Sequence, residues 1–144
     1  MNYRLINCDK NDIDRLIKYK KKTIFDYAHN LSIEEINNIN NYVIMAVPKN
    51  INDYSNIVID DKVIGSLLVT KEKDGVLIDE IFIEDEYRNK GLGSNIIKNI
   101  INKNKAVYLW VYKENIKAIN LYKKLGFIVE EETKTRYYMK VINK

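Results

Sequence analysis

Between residues 87 and 94 the chain reads Tyr87-Arg88-Asn89-Lys90-Gly91-Leu92-Gly93-Ser94. A hydrophobic run, Val76 to Ile83, precedes this stretch, and an amphipathic run, Leu92 to about Lys103, follows it. Leu92, Ile96, Ile97, Ile100 and Ile101 fall on one face at helical spacing. The pattern predicts a strand, a tight glycine turn and a helix. Glycines at 91 and 93 let the backbone approach a ligand where a Cβ would collide. The first helical turn points unpaired N–H groups, with partial positive charge, at one spot. Arg88, Lys90 and the Ser94 hydroxyl crowd the same spot. This is the chemistry of a phosphate or pyrophosphate site; the blander alternative is a basic turn ahead of a surface helix.

Two familiar phosphate loops do not fit. A P-loop needs four residues between its glycines and then Gly-Lys-Ser/Thr, which is absent. A dinucleotide fingerprint needs a third glycine at position 96, where Ile96 stands, and belongs after the first strand of its unit.

The chain around this turn is long enough for one core. Its 144 residues, with five glycines and one proline, predict one domain, 1–144, without linkers or repeats. The net charge of +4 suits a polyanionic ligand. The lysines are scattered among acids, which disfavours nucleic acid as a partner. Lys20-Lys21-Lys22, the one basic run, reads as an exposed helix face. Cys8 is the only cysteine, so no internal disulfide forms and a reducing, cytoplasmic setting is expected. With no histidine beside it, Cys8 reads as a strand-end residue. The start lacks a signal-peptide core, and no apolar run approaches the ~20 residues of a membrane span. His29, the sole histidine, reads as a loop or surface residue, and no ligand cluster for a metal is present.

The remaining elements follow from pattern. Tyr3 to Asn7 predicts a strand. Asp9 or Asn11 can cap a helix from about Asp12 to Tyr27, with Ile13, Leu16, Ile17 and Ile24 on one side. Ser32-Ile33-Glu34-Glu35 is a capping box for a second helix to about Tyr42. Val43 to Val47 either extends that helix or forms a packed loop, and Pro48 ends it. Residues 55–83 read as an antiparallel three-strand meander. Ala106 to Val111 is a continuous apolar strand, as expected when both faces are covered, and pairs parallel to Val76–Ile83. Glu114 to Lys124 predicts a helix capped by Gly126. Residues 127–132 and 136–142 form a last strand pair. The fold class is α/β of the α+β type, in the order β-α-α-β-β-β-α-β-α-β-β.

The spacing Arg-x-x-Gly-x-Gly, at Arg88, Gly91 and Gly93, resembles the acetyl-CoA pyrophosphate loop of the GCN5-related N-acetyltransferase (GNAT) family. A second stretch, Asn115 to Phe127, is similar to that family's Asn-x-x-Ala-x-x-Leu-Tyr-x-x-x-Gly-Phe segment at every defined position. The element order is also that of the family. Together the two segments cover about residues 76 to 130. The resemblance implies a mixed, mostly antiparallel sheet of about seven strands, splayed between the fourth and fifth and flanked by about four helices. It implies transfer of an acetyl group from acetyl-CoA, a cosubstrate, to a primary amine of a small molecule or protein in a ternary complex. The alternative is a non-catalytic acyl-CoA-binding regulatory module. A homodimer through the C-terminal strands is implied by the same likeness, and neither a metal nor a membrane is.

Roles carry over residue by residue. The backbone of Arg88, Asn89, Lys90, Gly91, Leu92, Gly93 and Ser94 would hold the pyrophosphate. The fourth-strand backbone at Ile81, Phe82 and Ile83 would bond pantetheine, and one freed N–H there would stabilise the oxyanion. Tyr122 would protonate the departing thiolate; a thiol of pKa ~8.5 needs no stronger acid than a phenol of pKa ~10. Asn115 would bond pantetheine, cap its helix, or do both. Asp79 and Glu80 are acids in mid-strand, where acids are disfavoured. Alternation sends them to opposite faces, and either one, through a water, is a sensible base for an ammonium. Salt bridging to a lysine is the competing explanation for both. Glu84, Asp85 and Glu86 read as a solvated turn.

Overall fold

The computed structural model describes residues 2–143. Its elements run β1 (Arg4–Asn7), α1 (Ile13–Tyr27), α2 (Ile33–Lys49), β2 (Tyr54–Ile59), β3 (Lys62–Glu72), β4 (Gly75–Ile83), α3 (Leu92–Lys103), β5 (Ala106–Tyr112), α4 (Ile116–Lys124), β6 (Ile128–Glu132) and β7 (Arg136–Ile142). The order is the one expected, with short 3-10 turns added at Lys10–Asp12, Ile51–Asp53 and Asp85–Tyr87.

Local chemistry sets the helix ends. Asp9 accepts from the Asn11 amide and completes a capping box with Asp12, while Ser32 and Glu35 cap one another's backbone at the start of α2. The α2 helix takes in Val43 to Val47, because Val43, Ala46 and Val47 are buried on its inner side. Pro48 stands inside the last turn rather than ending the helix, and Asn50 closes it through the Ala46 carbonyl.

One sheet of seven strands has the order β1-β2-β3-β4-β5-β7-β6. Every neighbouring pair is antiparallel except β4 and β5. That parallel pair makes only the rungs Val76–Val107, Leu77–Tyr108 and Ile78–Leu109. Beyond them β4 runs on to Ile83 and β5 to Tyr112 without pairing, so the sheet is split at that end.

The split begins at a bulge. The β3–β4 register steps from Leu68–Glu80 to Val69–Ile78 and leaves Asp79 unmatched. The extra residue reverses the in-out parity of β4. Val76, Ile78, Ile81 and Ile83 all join one core cluster, with Leu92, Ile96 and Ile97 of α3 and Ile119 of α4. Glu80 and Phe82 turn to the α1 side, where Phe82 stacks on Tyr19 at 4.2 Å. A second cluster joins Leu16 of α1 and Val43 and Val47 of α2 to Tyr54 and Leu68. Cys8 lies buried just past β1, its thiol donating to Asn56 Oδ1 at 3.1 Å and pushed up to about 11, chiefly by burial. No described helix is long and apolar enough to cross a membrane.

At the closed end of the split, Gly75 lies so near β5 that an added Cβ would run into the Ala106 carbonyl. Gly75→Ala must push the two strands apart. The expected loss is about 1–3 kcal/mol in urea unfolding, with the same fold by circular dichroism.

Candidate active site

The glycine turn leads into α3 with Gly91 as N-cap at φ +82°, a left-handed conformation that favours glycine. No side chain caps this helix, so its first amides keep their donors for something outside the chain. A Cβ added at Gly91 would meet nothing within 4 Å, and one at Gly93 only the Ile83 methyl at 3.5 Å. The space above both glycines is therefore open.

That space is one end of a groove of about 820 Å³, lined by Arg88, Asn89, Gly91, Leu92, Gly93 and Ser94. Ile81, Phe82 and Ile83 form its β4 wall, and Asn115, Ala118 and Tyr122 its α4 wall. Lys90 is placed differently from the expectation. Its ammonium lies 6.0 Å from the Tyr87 ring, outside the groove lining. Arg88 is held back by its own turn, donating from Nε to the Ile83 carbonyl at 2.6 Å and pairing with Asp85 at 3.0 Å. Lys117 supplies a cation the sequence reading missed. Its ammonium donates to Asn89 Oδ1 and ties α4 to the glycine turn across the groove.

The α4 helix is fixed at both ends. Asn115 accepts from the Ala118 amide at 3.2 Å as N-cap. At the other end Gly126 takes φ +100°, with Gly126 N donating to Lys123 O and Phe127 N to Tyr122 O, the paired closure of a Schellman turn. Tyr122 is thereby seated against Phe127, ring centres 5.8 Å apart. Burial, with Tyr27 as a smaller influence, pushes the Tyr122 phenol up to about 12.

A second cavity, of about 1060 Å³, opens on the α1–α2 side of the split. Thr23, Tyr27, Ile81, Asn115 and Tyr122 line both cavities and form their common wall. Tyr27, also missed in the sequence, ends α1 and stacks on Tyr112 at 5.6 Å, closing the wall above β5.

Asp79 and Glu80 both line the second cavity but in different states. Asp79 is exposed at the bulge. Glu80 is 7% exposed, and its Oε2 accepts from Tyr54 at 2.8 Å and from Lys20 at 3.1 Å. Its Oε1 is buried and has no partner. Lys20 corrects the reading of the basic run: it is 9% exposed, not a solvated face, because Glu80 receives its charge inside the fold. Burial pulls the Lys20 ammonium down, but the Glu80 carboxylate and the Tyr42 oxygen outweigh it and the net shift is upward. Glu84 is not free in solvent either; it accepts from the Tyr19 hydroxyl at 2.5 Å. His29 faces Glu114 at 3.5 Å on the cavity rim. No group of three or more potential metal ligands stands together among the described residues.

The acetyltransferase (GNAT) family model matches residues 24–127. The chain belongs to that family. A spermine/spermidine N(1)-acetyltransferase of Bacillus subtilis is 40% identical over 58 residues, 36% of this chain and 38% of the relative. A spermidine N(1)-acetyltransferase of Escherichia coli K12 is 40% identical over 67 residues, 42% of this chain and 36% of the relative. The chain thus spans little more than a third of either relative's length. Among solved structures, the PaiA N-acetyltransferase of Thermoplasma acidophilum in complex with coenzyme A superposes with a TM-score of 0.73. It covers 99% of this chain and 100% of its own at 20% identity, a likeness of fold.

The Lys20–Glu80 pair gives a test of the site's electrostatics. Removing one partner of a buried pair strands the other's charge. Lys20→Met is expected to cost roughly 3–5 kcal/mol, and Lys20→Met/Glu80→Leu to recover most of it in a double-mutant cycle by chemical denaturation. A single variant as stable as the parent would show that the pair is not closed in solution.

Proposed function

We propose that residues 1–144 form one acetyltransferase domain that moves an acetyl group from acetyl-CoA to a primary amine of a small molecule or protein. The observation that carries this reading is that the two cavities meet at Tyr122 and Ile81. One cavity begins at uncapped helix amides and the other at carboxylates.

The groove fits coenzyme A on three counts: open space over Gly91 and Gly93, free amides at the α3 N-terminus, and an unpaired β4 edge leading inward. When bound, acetyl-CoA supplies a thioester carbonyl open to an unprotonated amine, with a thiol of pKa ~8.5 as leaving group. The amides from Arg88 to Ser94, with Lys117 beside them, would hold the pyrophosphate by charge-assisted hydrogen bonds. The β4 edge at Ile81 to Ile83 would offer its amides to pantetheine and one N–H to the developing oxyanion. Tyr122, kept protonated by burial, would give its proton to the sulfur. Asn115 would serve as helix cap and as a polar contact beside the sulfur.

On the acceptor side, Glu80 offers a buried, unpartnered Oε1 and is assigned the role of base, through a water. Asp79, exposed at the rim, is assigned the attraction of the incoming ammonium. The polyamine acetyltransferases that this chain resembles point to an acceptor with an aliphatic ammonium. The lone buried cysteine and the choice of cosubstrate suit the cytoplasm. A homodimer would form along the edge strand β6, whose Ile128 and Val129 are exposed.

Thiol release from acetyl-CoA over an amine panel tests the whole reading; tight binding of coenzyme A without turnover on any amine would instead favour a regulatory module. Tyr122→Phe should lower kcat by about 10²-fold or more while calorimetry shows coenzyme A binding retained. A Tyr122→Phe enzyme as fast as the parent would remove the acid assignment. Because the Tyr122 pKa is raised to about 12, the phenol keeps its proton above its ordinary range. The parent's kcat/KM should therefore rise with pH as the amine deprotonates, with no falling limb from Tyr122 below about pH 10. Glu80→Gln, assayed well below its melting range, should lower kcat by about 10²-fold. Asp79→Asn should act mainly on acceptor KM. The opposite pattern would exchange the two roles.

A further inference from the structure

The acceptor cavity holds more charge than catalysis needs, and the charges are not equivalent. Four acids line it: Glu35, Asp79, Glu80 and Glu114. Three are already engaged. Glu35 caps α2 through the Ser32 amide at 3.0 Å, Glu80 is bound by Lys20 and Tyr54, and Glu114 faces His29. Asp79 alone of the four has neither an ion-pair partner nor a side-chain hydrogen bond among the described residues. Lys134, in the turn before β7, and Arg136, at the start of β7, also line the cavity. Among the described residues neither has a carboxylate within 4 Å.

Arg136 is positioned rather than loose. It begins β7 opposite Tyr112, and its guanidinium lies 4.8 Å over the Trp110 ring. The turn before it is tied down: Arg136 N donates to Thr133 Oγ1 at 3.0 Å, Thr133 N donates to Arg136 O at 2.8 Å, and Lys113 N donates to Thr135 O at 2.9 Å. Trp110 is the residue that follows the last parallel rung, Ile78–Leu109. The cavity floor therefore runs from a free carboxylate on β4, past an indole on β5, to a free guanidinium on β7.

We propose that the acceptor is an amine that carries a carboxylate or phosphate at its far end, bound by Arg136 and Lys134, rather than a polycation. The proposal rests on the acetyltransferase reading and names its acceptor. An arginine fork matches a carboxylate or a phosphate in two-point geometry, and its seat on Trp110 fixes its plane. Asp79 and Arg136 are separated by one intervening strand and by the two-residue offset from Trp110 to Tyr112, and the strands have parted at that level, so the amine and the anion stand roughly 12 Å apart or more. A free α-amino acid is too short for that span; an ω-amino acid, a lysine side chain with its own carboxylate, or a short peptide reaches it. A polyamine would lay its second ammonium against Lys134 and Arg136 and would find the buried acid already neutralised by Lys20.

The test is thiol release from acetyl-CoA with ω-amino acids and lysine-terminated peptides, each beside its carboxamide twin, and with an aminoalkyl phosphate, spermidine and spermine. The acid or phosphate forms should exceed their uncharged twins in kcat/KM by about 10- to 100-fold, the range of a charge-assisted contact. The carboxylate and phosphate arms tell the two anion sources apart. Arg136→Gln should bring the acid-to-amide ratio close to one, through acceptor KM. Lys134→Glu, on an exposed turn, should lower the same ratio if Arg136→Gln does not fold. Equal rates on acid and amide twins, or spermidine as the best acceptor, would overturn the anion site and leave the acetyltransferase reading standing. No turnover on any amine would overturn both.

Discussion

The parting of β4 from β5 is the constraint on which the rest of the structure depends. Three rungs hold the strands together, and Gly75 lets them approach at the closed end. After Ile78 and Leu109 each strand keeps a neighbour on its other side only. Backbone donors and acceptors along the two inner edges are then left without strand partners inside the fold. Unpaired main-chain groups there are costly unless water or a ligand amide meets them. A chain built this way has a slot that prefers an extended, amide-bearing occupant. The same opening lets the cavity on the α1 side communicate with the groove on the α3 side.

The two sides of the slot are electrically different. On the α3 side the donors are main-chain amides and Lys117, with the Arg88 charge drawn back to Ile83 and Asp85. Such a surface attracts an anion without demanding a particular side chain. On the α1 side Lys20 is matched to Glu80 and His29 faces Glu114, while Asp79, Lys134 and Arg136 have no ion-pair partner among the described residues. Tyr27 and Tyr122 stand between the two sides. In the proposed reaction, two large rings at the junction would limit water where an amine and a thioester meet, which would strengthen every dipole aimed at it.

Much of this was legible from residues 76 to 130. The glycine turn, the Asn115–Phe127 segment and the order of elements are written in local spacing, and spacing survives folding because turns and caps are satisfied by near neighbours. Asn115 and Gly126 illustrate this, each needing only the next few residues. What the sequence did not reveal depends on distant partners. The bulge at Asp79 is set by the register with β3, so the acids at 79 and 80 were visible as anomalies but the reversal of parity around them was not. Lys20 looked solvated because its counter-charge lies 60 residues away on another element. Lys90 and Lys117 could not be sorted from the other basic residues, since which one faces the groove depends on how α4 meets the turn. Pro48 sits inside the last turn of α2, where the helix has only Lys49 left to run before Asn50 closes it.

The Lys20–Glu80 pair is informative because burial makes it expensive. Well-packed apolar residues at the two positions would serve stability as well or better. Its presence beside the split is therefore better understood by what it does to the carboxylate. Lys20 and Tyr54 both take Oε2, which fixes the rotation of the carboxylate and leaves Oε1 as the oxygen without a partner. Tyr54 is itself raised by burial and then by Glu80, so it remains a donor and does not compete for a proton. An acid held by two donors on one oxygen presents the other in a single direction. For a group that must accept a proton beside a reacting amine, that fixed direction is what a freely rotating, solvated carboxylate lacks.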